Sequence, residues 1–156
     1  MSVSKSSACA VVDVTAGTVI ASVEIAAPPE RVFRALTESS DVLAWWGSAD
    51  TYRTEEWTAD VRVGGRWRAR GHSADGKPYS VEGEYLEVDP PRKLVQTWVY
   101  DWDGGQATTL AYELTVLDGG TKVTVRHSGF GARHQACADH GRGWEMVLGW
   151  LEAYLQ

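Results

Sequence analysis

The stretch LAYELTVLDGGTKVTVRH, Leu110 to His127, alternates apolar and polar residues on both sides of Asp118-Gly119. A period of two is the mark of a strand with one buried face, and Asp-Gly is a favoured two-residue hairpin turn. Folding the segment about that turn sets Val116 against Thr121, Leu114 against Val123, Tyr112 against Val125 and Leu110 against His127. The inward positions then form one continuous apolar face. A one-residue slip would turn all of them outward together.

The same period extends upstream. Strands are expected at about 52–61, 65–73, 79–88, 94–101, 107–117 and 121–128, broken at Gly64-Gly65, Asp75-Gly76, Pro90-Pro91, Asp103-Gly104-Gly105 and Asp118-Gly119-Gly120. These are turn compositions, and such short connections imply an antiparallel meander. Around Gly76 the hairpin is expected to set Arg70 opposite Glu82 and Arg68 opposite Glu84, with Trp67 against Tyr85 and Ala69 against Gly83 on the reverse face. Arg66, Arg68 and Arg70 then read as a solvent-facing, charge-paired row.

The flanks are of a different kind. TVIASVEIAA (18–27) places Val19, Ala21, Val23 and Ile25 on one face of a further strand, which Pro28-Pro29 ends. A proline at a first helical turn is pre-set for the helix, and Val32, Phe33 and Leu36 share a face of the segment that follows. A second short helix, capped near Ser40-Asp41, carries Leu43, Trp45 and Trp46 to Gly47. Beyond 131 the period becomes 3.6, with Trp144, Leu148, Leu151 and Leu155 on one stripe of a long helix. Residues 1–16 are expected to be a flexible tail from which AVVDV could add an edge strand, and 17–156 a single α+β domain.

Composition excludes several function classes. A net charge of −6 on 156 residues argues against a general nucleic-acid or anionic-membrane binder. No run approaches the length of a membrane span, and the N-terminus lacks the apolar core of a signal peptide. Cys9 and Cys137 lie at opposite ends of the chain without metal or redox spacing. Two reduced thiols fit a cytoplasmic protein. Asparagine is absent, so no catalytic asparagine can be proposed.

IAAPPERVFRALTESSDVLAWWG, ADVRVGGRWRARG, GEYLEVDPPRKLVQTW, GGTKVTVRHSGFG and GWEMVLGWLEAYL, in this order, resemble the START-like (SRPBCC) superfamily, most closely its AHSA-type domains, named after the activator of the heat-shock chaperone ATPase. The resemblance covers roughly residues 18–155. It implies a helix-grip fold: a curved antiparallel sheet of six or seven strands around the C-terminal helix, with two small helices at one end. It also implies a cavity between sheet and helix, open to small apolar molecules. The two adjacent tryptophans then divide, one entering the core and the other lining the cavity.

The candidate ligand-binding residues are accordingly Trp45, Trp46, Trp67, Tyr85, Tyr112, His127, Trp144 and Leu148. As a functional group His127 could orient a ligand carbonyl or act as acid or base, its unperturbed pKa being near neutral. As a structural group it would satisfy a backbone carbonyl or carboxylate at the sheet rim. His134, Cys137, Asp139 and His140 are close in sequence without a metal-ligand spacing. No nucleophile elbow or phosphate-binding glycine loop occurs. The leading expectation is a binding protein for a small hydrophobic or aromatic molecule, without cofactor or metal, as monomer or homodimer. The alternatives are a cyclase or hydratase using His127, and a domain that engages a heat-shock chaperone.

Overall fold

The computed structural model describes residues 6–101 and 105–156. Eight strands, β1 (Cys9–Asp13), β2 (Thr18–Ile25), β3 (Tyr52–Ala59), β4 (Arg66–Ser73), β5 (Pro78–Asp89), β6 (Lys93–Tyr100), β7 (Thr108–Leu117) and β8 (Gly120–Ser128), form one antiparallel sheet. Their spatial order is β1-β2-β8-β7-β6-β5-β4-β3. Helices α1 (Pro29–Thr37) and α2 (Ser39–Trp45) follow β2, and α3 (His134–Leu155) ends the chain. This is the helix-grip α+β fold, with one strand more than the six or seven expected. The extra strand is β1, from the segment read as a tail with an optional edge strand. The segment is also tied to α3: Ser6 Oγ donates to Glu152 Oε1 at 2.6 Å, and the Ala10 amide donates to Glu145 Oε1 at 2.9 Å. Residues 1–5 and most of the Asp103-Gly104-Gly105 break lie outside the described residues.

The β7–β8 register is the one the turn dictates, Leu110 opposite His127 through Val116 opposite Thr121. The β4–β5 register differs from expectation by two residues: Arg66 faces Glu84, Arg68 faces Glu82, Trp67 faces Gly83 and Ala69 faces Val81. The turn is tighter than the sequence suggested, with the Ser73 amide bonded to the Lys77 carbonyl at 2.9 Å. A two-residue shift keeps every side chain on its face. Trp67 therefore still points inward, and the arginine row stays solvent-exposed, with Arg66 3.7 Å from Glu82 and Arg70 3.8 Å from Glu56. Gly83 is required where it stands, because a Cβ there would lie 1.9 Å from the Thr97 carbonyl oxygen.

Helix α2 starts at Ser39, with Glu38 at its N-cap position and no side-chain capping bond, rather than being capped by Ser40-Asp41. Asp41 has another task. Its Oδ1 accepts from Arg31 Nη2 at 2.8 Å and from the Tyr154 hydroxyl at 2.6 Å, joining α1, α2 and the end of α3. The Arg31 guanidinium holds the Asp41 carboxyl below the usual carboxylate range.

Helix α3 does not lie over the middle of the sheet. It runs closest to β1 and β2, and Gly141 permits the approach, since a Cβ there would meet Val12 Cγ2 at 2.3 Å. Leu148 and Leu151 pack fully into the core with Val19, Val23 and Val125. With the helix drawn to that side, the inward faces of β3 to β6 curve away from it. The resulting gap is the site.

Candidate functional site: an aromatic cavity

A cavity of about 490 Å³ lies between the β3–β6 half of the sheet and the Asp139–Met146 stretch of α3. That volume is in the range of small-molecule sites. Its apolar wall is built by strand alternation. Trp57 on β3, Trp67 and Ala69 on β4, Val81 on β5 and Trp98 on β6 all occupy inward positions. Tyr52, Tyr79 and Tyr100 line it nearer the strand ends, and Trp46 lines it from the helical side. The charged side chains on the lining, Lys77 and Asp139, are 83% and 54% exposed and so belong to the rim.

The paired tryptophans divide as the fold demands. Trp45 is the last residue of α2, and its Nε1 donates to the Ala35 carbonyl at 2.8 Å, fastening α2 to α1. At Trp46 the backbone leaves the helix with φ −85° and ψ 92°. That turn sends its indole to the cavity, where Nε1 donates to the Tyr52 hydroxyl at 3.1 Å. From there the indoles run in sequence along the wall: Trp46 to Trp98 at 6.2 Å, Trp98 to Trp67 at 5.0 Å and Trp67 to Trp57 at 5.5 Å between centroids. Such pairs add about 0.5–1.5 kcal/mol each beyond the area they bury.

His127 lies outside the cavity lining and is fully buried. Trp144 Nε1 donates to its Nδ1 at 3.0 Å. An indole N–H only donates, so Nδ1 carries a lone pair and the proton of the neutral ring sits on Nε2. That nitrogen is 2.6 Å from Thr108 Oγ1, whose own hydroxyl donates to the Trp98 carbonyl at 3.2 Å. Both nitrogens are thus engaged within the protein, by a hydroxyl and an indole rather than the carbonyl or carboxylate expected. Burial, aided by the neighbouring His140 and Arg133, lowers the His127 pKa well below that of a free imidazole.

Of the eight residues singled out in the sequence, Trp46 and Trp67 line the cavity. Trp45 and Leu148 are core, and Trp144 and His127 form a hydrogen-bonded pair beside the Trp98 ring. Tyr85 and Tyr112 are buried in the sheet-facing core, where burial raises both phenol pKa values, and the Tyr85 hydroxyl finds no partner among the described residues. No group of three or more His, Cys, Asp or Glu side chains among the described residues is placed to hold a metal ion.

The family described as "Activator of Hsp90 ATPase homolog 1-like protein" matches residues 26–156. The chain belongs to this family. Solved structures share the fold over most of the chain. Protein Ms6760 from Mycobacterium smegmatis is 22% identical with a TM-score of 0.78, the match covering 94% of this chain and 95% of that one. CalU16 from Micromonospora echinospora is 24% identical, TM-score 0.69, over 97% and 85% of the two chains. DynU16, a protein in the dynemicin biosynthetic locus, is 25% identical, TM-score 0.73, over 89% of this chain and 47% of its own. A comparison with curated proteins gave no match.

Within this AHSA-type domain the cavity residues that sequence reading missed are chiefly Tyr52, Trp57 and Trp98. A signal for Trp98 was present. Leu94, Gln96 and Trp98 alternate inward on β6, and carrying the β7 register one strand further sets Trp98 opposite Thr108 on the face already known to be apolar. For Trp57 the register passes through an irregularity between Thr54 and Glu56, which period-two counting does not anticipate.

Proposed function

We propose that this AHSA-type domain binds a small apolar or aromatic molecule in the cavity between β3–β6 and α3. The observation that carries the reading is a space of about 490 Å³ walled by four indoles. Aromatic walls with a few polar points are the usual composition of small-molecule sites. The place of the structural relative DynU16 in a biosynthetic locus supports a small-molecule context. The two free thiols, Cys9 and Cys137, support a reducing compartment such as the cytoplasm. An acid–base role for His127 gains nothing from the geometry, since both its nitrogens are engaged inside the protein. The cavity favours a small molecule over a chaperone as the partner.

The test is a hydrophobic metabolite library read by native mass spectrometry and tryptophan fluorescence, with Val81→Trp and Ala69→Phe as cavity-filling variants. Bound compounds should shift the emission of the wild type and lose affinity at least tenfold in a filled variant that keeps its thermal midpoint. If no compound binds, or binding is indifferent to filling, the reading fails.

A further inference from the structure

The four indoles that line the cavity are not equivalent. Trp57 Nε1 donates to the Thr37 carbonyl at 2.9 Å, Trp67 Nε1 to the Thr97 carbonyl at 3.1 Å and Trp46 Nε1 to the Tyr52 hydroxyl at 3.1 Å. Trp98 Nε1 is buried and meets no acceptor among the described residues. The Trp98 side chain belongs to a residue only 7% exposed. A buried donor left unsatisfied costs about 1–3 kcal/mol, and an indole cannot remove the cost by changing protonation or by rotating a hydroxyl.

The rings around Trp98 explain why the protein itself offers nothing. Trp46, Trp67, Tyr100, His127 and Trp144 all have their centroids within 6.2 Å of it. Within this shell the Tyr52 hydroxyl takes Trp46, the Thr97 carbonyl takes Trp67 and His127 Nδ1 takes Trp144. The cavity borders the Trp98 ring. Nε1 itself is closed to water in the free protein, so a ligand acceptor reaches it by parting the cavity wall at that point. The charged lining side chains stay at the rim, where Lys77 is paired with Asp75 and Asp139 with Arg142, and the half-buried His140 ring is tied through Nδ1 to the Ala136 carbonyl at 2.8 Å. An ionised group deep in the cavity would therefore be desolvated without a countercharge.

Resting on the ligand-binding reading above, we infer that the cavity selects an uncharged apolar molecule bearing a hydrogen-bond acceptor, such as a ketone, quinone or lactone oxygen, which it seats on Trp98 Nε1–H. Trp98 is then the specificity-determining residue, and the remaining indoles supply shape and apolar contact. Donation to a ligand carbonyl would satisfy the orphaned group and discriminate against the same skeleton without the oxygen.

Fluorene and 9-fluorenone share a ring frame and differ at one carbon. Calorimetric titration of the full chain should show fluorenone binding about tenfold more tightly, the factor that a net 1.4 kcal/mol gives. In a spectrum of the protein labelled with 15N at tryptophan, fluorenone should move the Trp98 indole proton downfield and fluorene should not. The Trp98 signal is assigned by its loss in Trp98→Phe, in which the preference should fall to about one. Equal affinities in the wild type, a preference that survives Trp98→Phe, or an unmoved Trp98 proton would each overturn the assignment. The proton shift is read on the wild type, so it stands even if the variant folds poorly. Fluorene binding without preference refutes Trp98 alone and leaves the cavity reading in place, whereas failure of both compounds to perturb any cavity indole refutes the two together.

Discussion

Lowering the pH is the most direct probe of the buried His127 network. The folded ring accepts from Trp144 on Nδ1 and faces Thr108 from Nε2. Protonating Nδ1 would set two donors against each other in a site with no solvent access. The folded pKa is accordingly held well below 6.5, chiefly by burial. In the unfolded chain the imidazole titrates near 6.5. Above that pH neither state carries the proton and His127 adds no pH dependence. Below it the unfolded chain takes up a proton that the folded chain refuses, so stability falls with pH until the folded value is reached. While the folded ring stays neutral the loss amounts to about 1.4 kcal/mol for each pH unit below the unfolded value, or roughly 2–5 °C in thermal midpoint per unit for a domain of this size. Urea unfolding followed by far-ultraviolet circular dichroism at half-unit steps from pH 7.5 to 5.0 measures it, with His127→Gln as reference. The variant should be weaker than wild type at pH 7.5 by about 1–2 kcal/mol for its impaired hydrogen bonds, and the two curves should converge as the pH falls. Parallel curves, or imidazolium nitrogen shifts for His127 in the folded protein at pH 6, would refute the neutral, doubly engaged ring.

Asp41→Ala removes the acceptor shared by Arg31 and Tyr154 and should cost about 2–3 kcal/mol. Because the folded pKa of Asp41 is lowered, the wild-type advantage should be full at neutral pH and shrink as pH falls below about 4 toward the lower folded value; calorimetry should show a smaller difference at pH 3 than at pH 7. Gly83→Ala would drive a methyl group into the Thr97 carbonyl and should destabilise by at least ~3 kcal/mol, measurable as the urea midpoint; a change under ~0.5 kcal/mol would contradict the β5–β6 packing. Cys9 is exposed and Cys137 buried, with burial raising the Cys137 pKa. An aromatic disulfide reagent should therefore titrate one thiol per native chain promptly and the second only in denaturant.

The helix-grip frame was legible because each of its parts rests on a short-range rule. Asp118-Gly119 sets its hairpin from the turn alone, and period-two alternation then assigns Leu110, Tyr112, Leu114 and His127 to one face. Even the two-residue error around Gly76 left Trp67 and Ala69 inward, because side-chain direction repeats every second residue. The edge strand β1 is not legible in the sequence, because a five-residue strand has too few alternations to declare itself. Its place depends on β2 and on the bonds that Glu145 and Glu152 make to residues far away in sequence.

The sequence by itself determined which residues face inward, and hence that indoles and phenols would crowd one side of the sheet. Tertiary structure alone decided which of them pack and which border open space. That outcome turns on the lateral position of α3, drawn toward β1 and β2 through Gly141 and Val12, and on the backbone turn at Trp46 that parts it from Trp45. Hydrophobic burial rewards contact with any apolar neighbour, so inward residues carry no local mark of whether the opposite wall reaches them. For the same reason Trp98 looks like any other buried tryptophan until the partners of the three other cavity indoles have been traced.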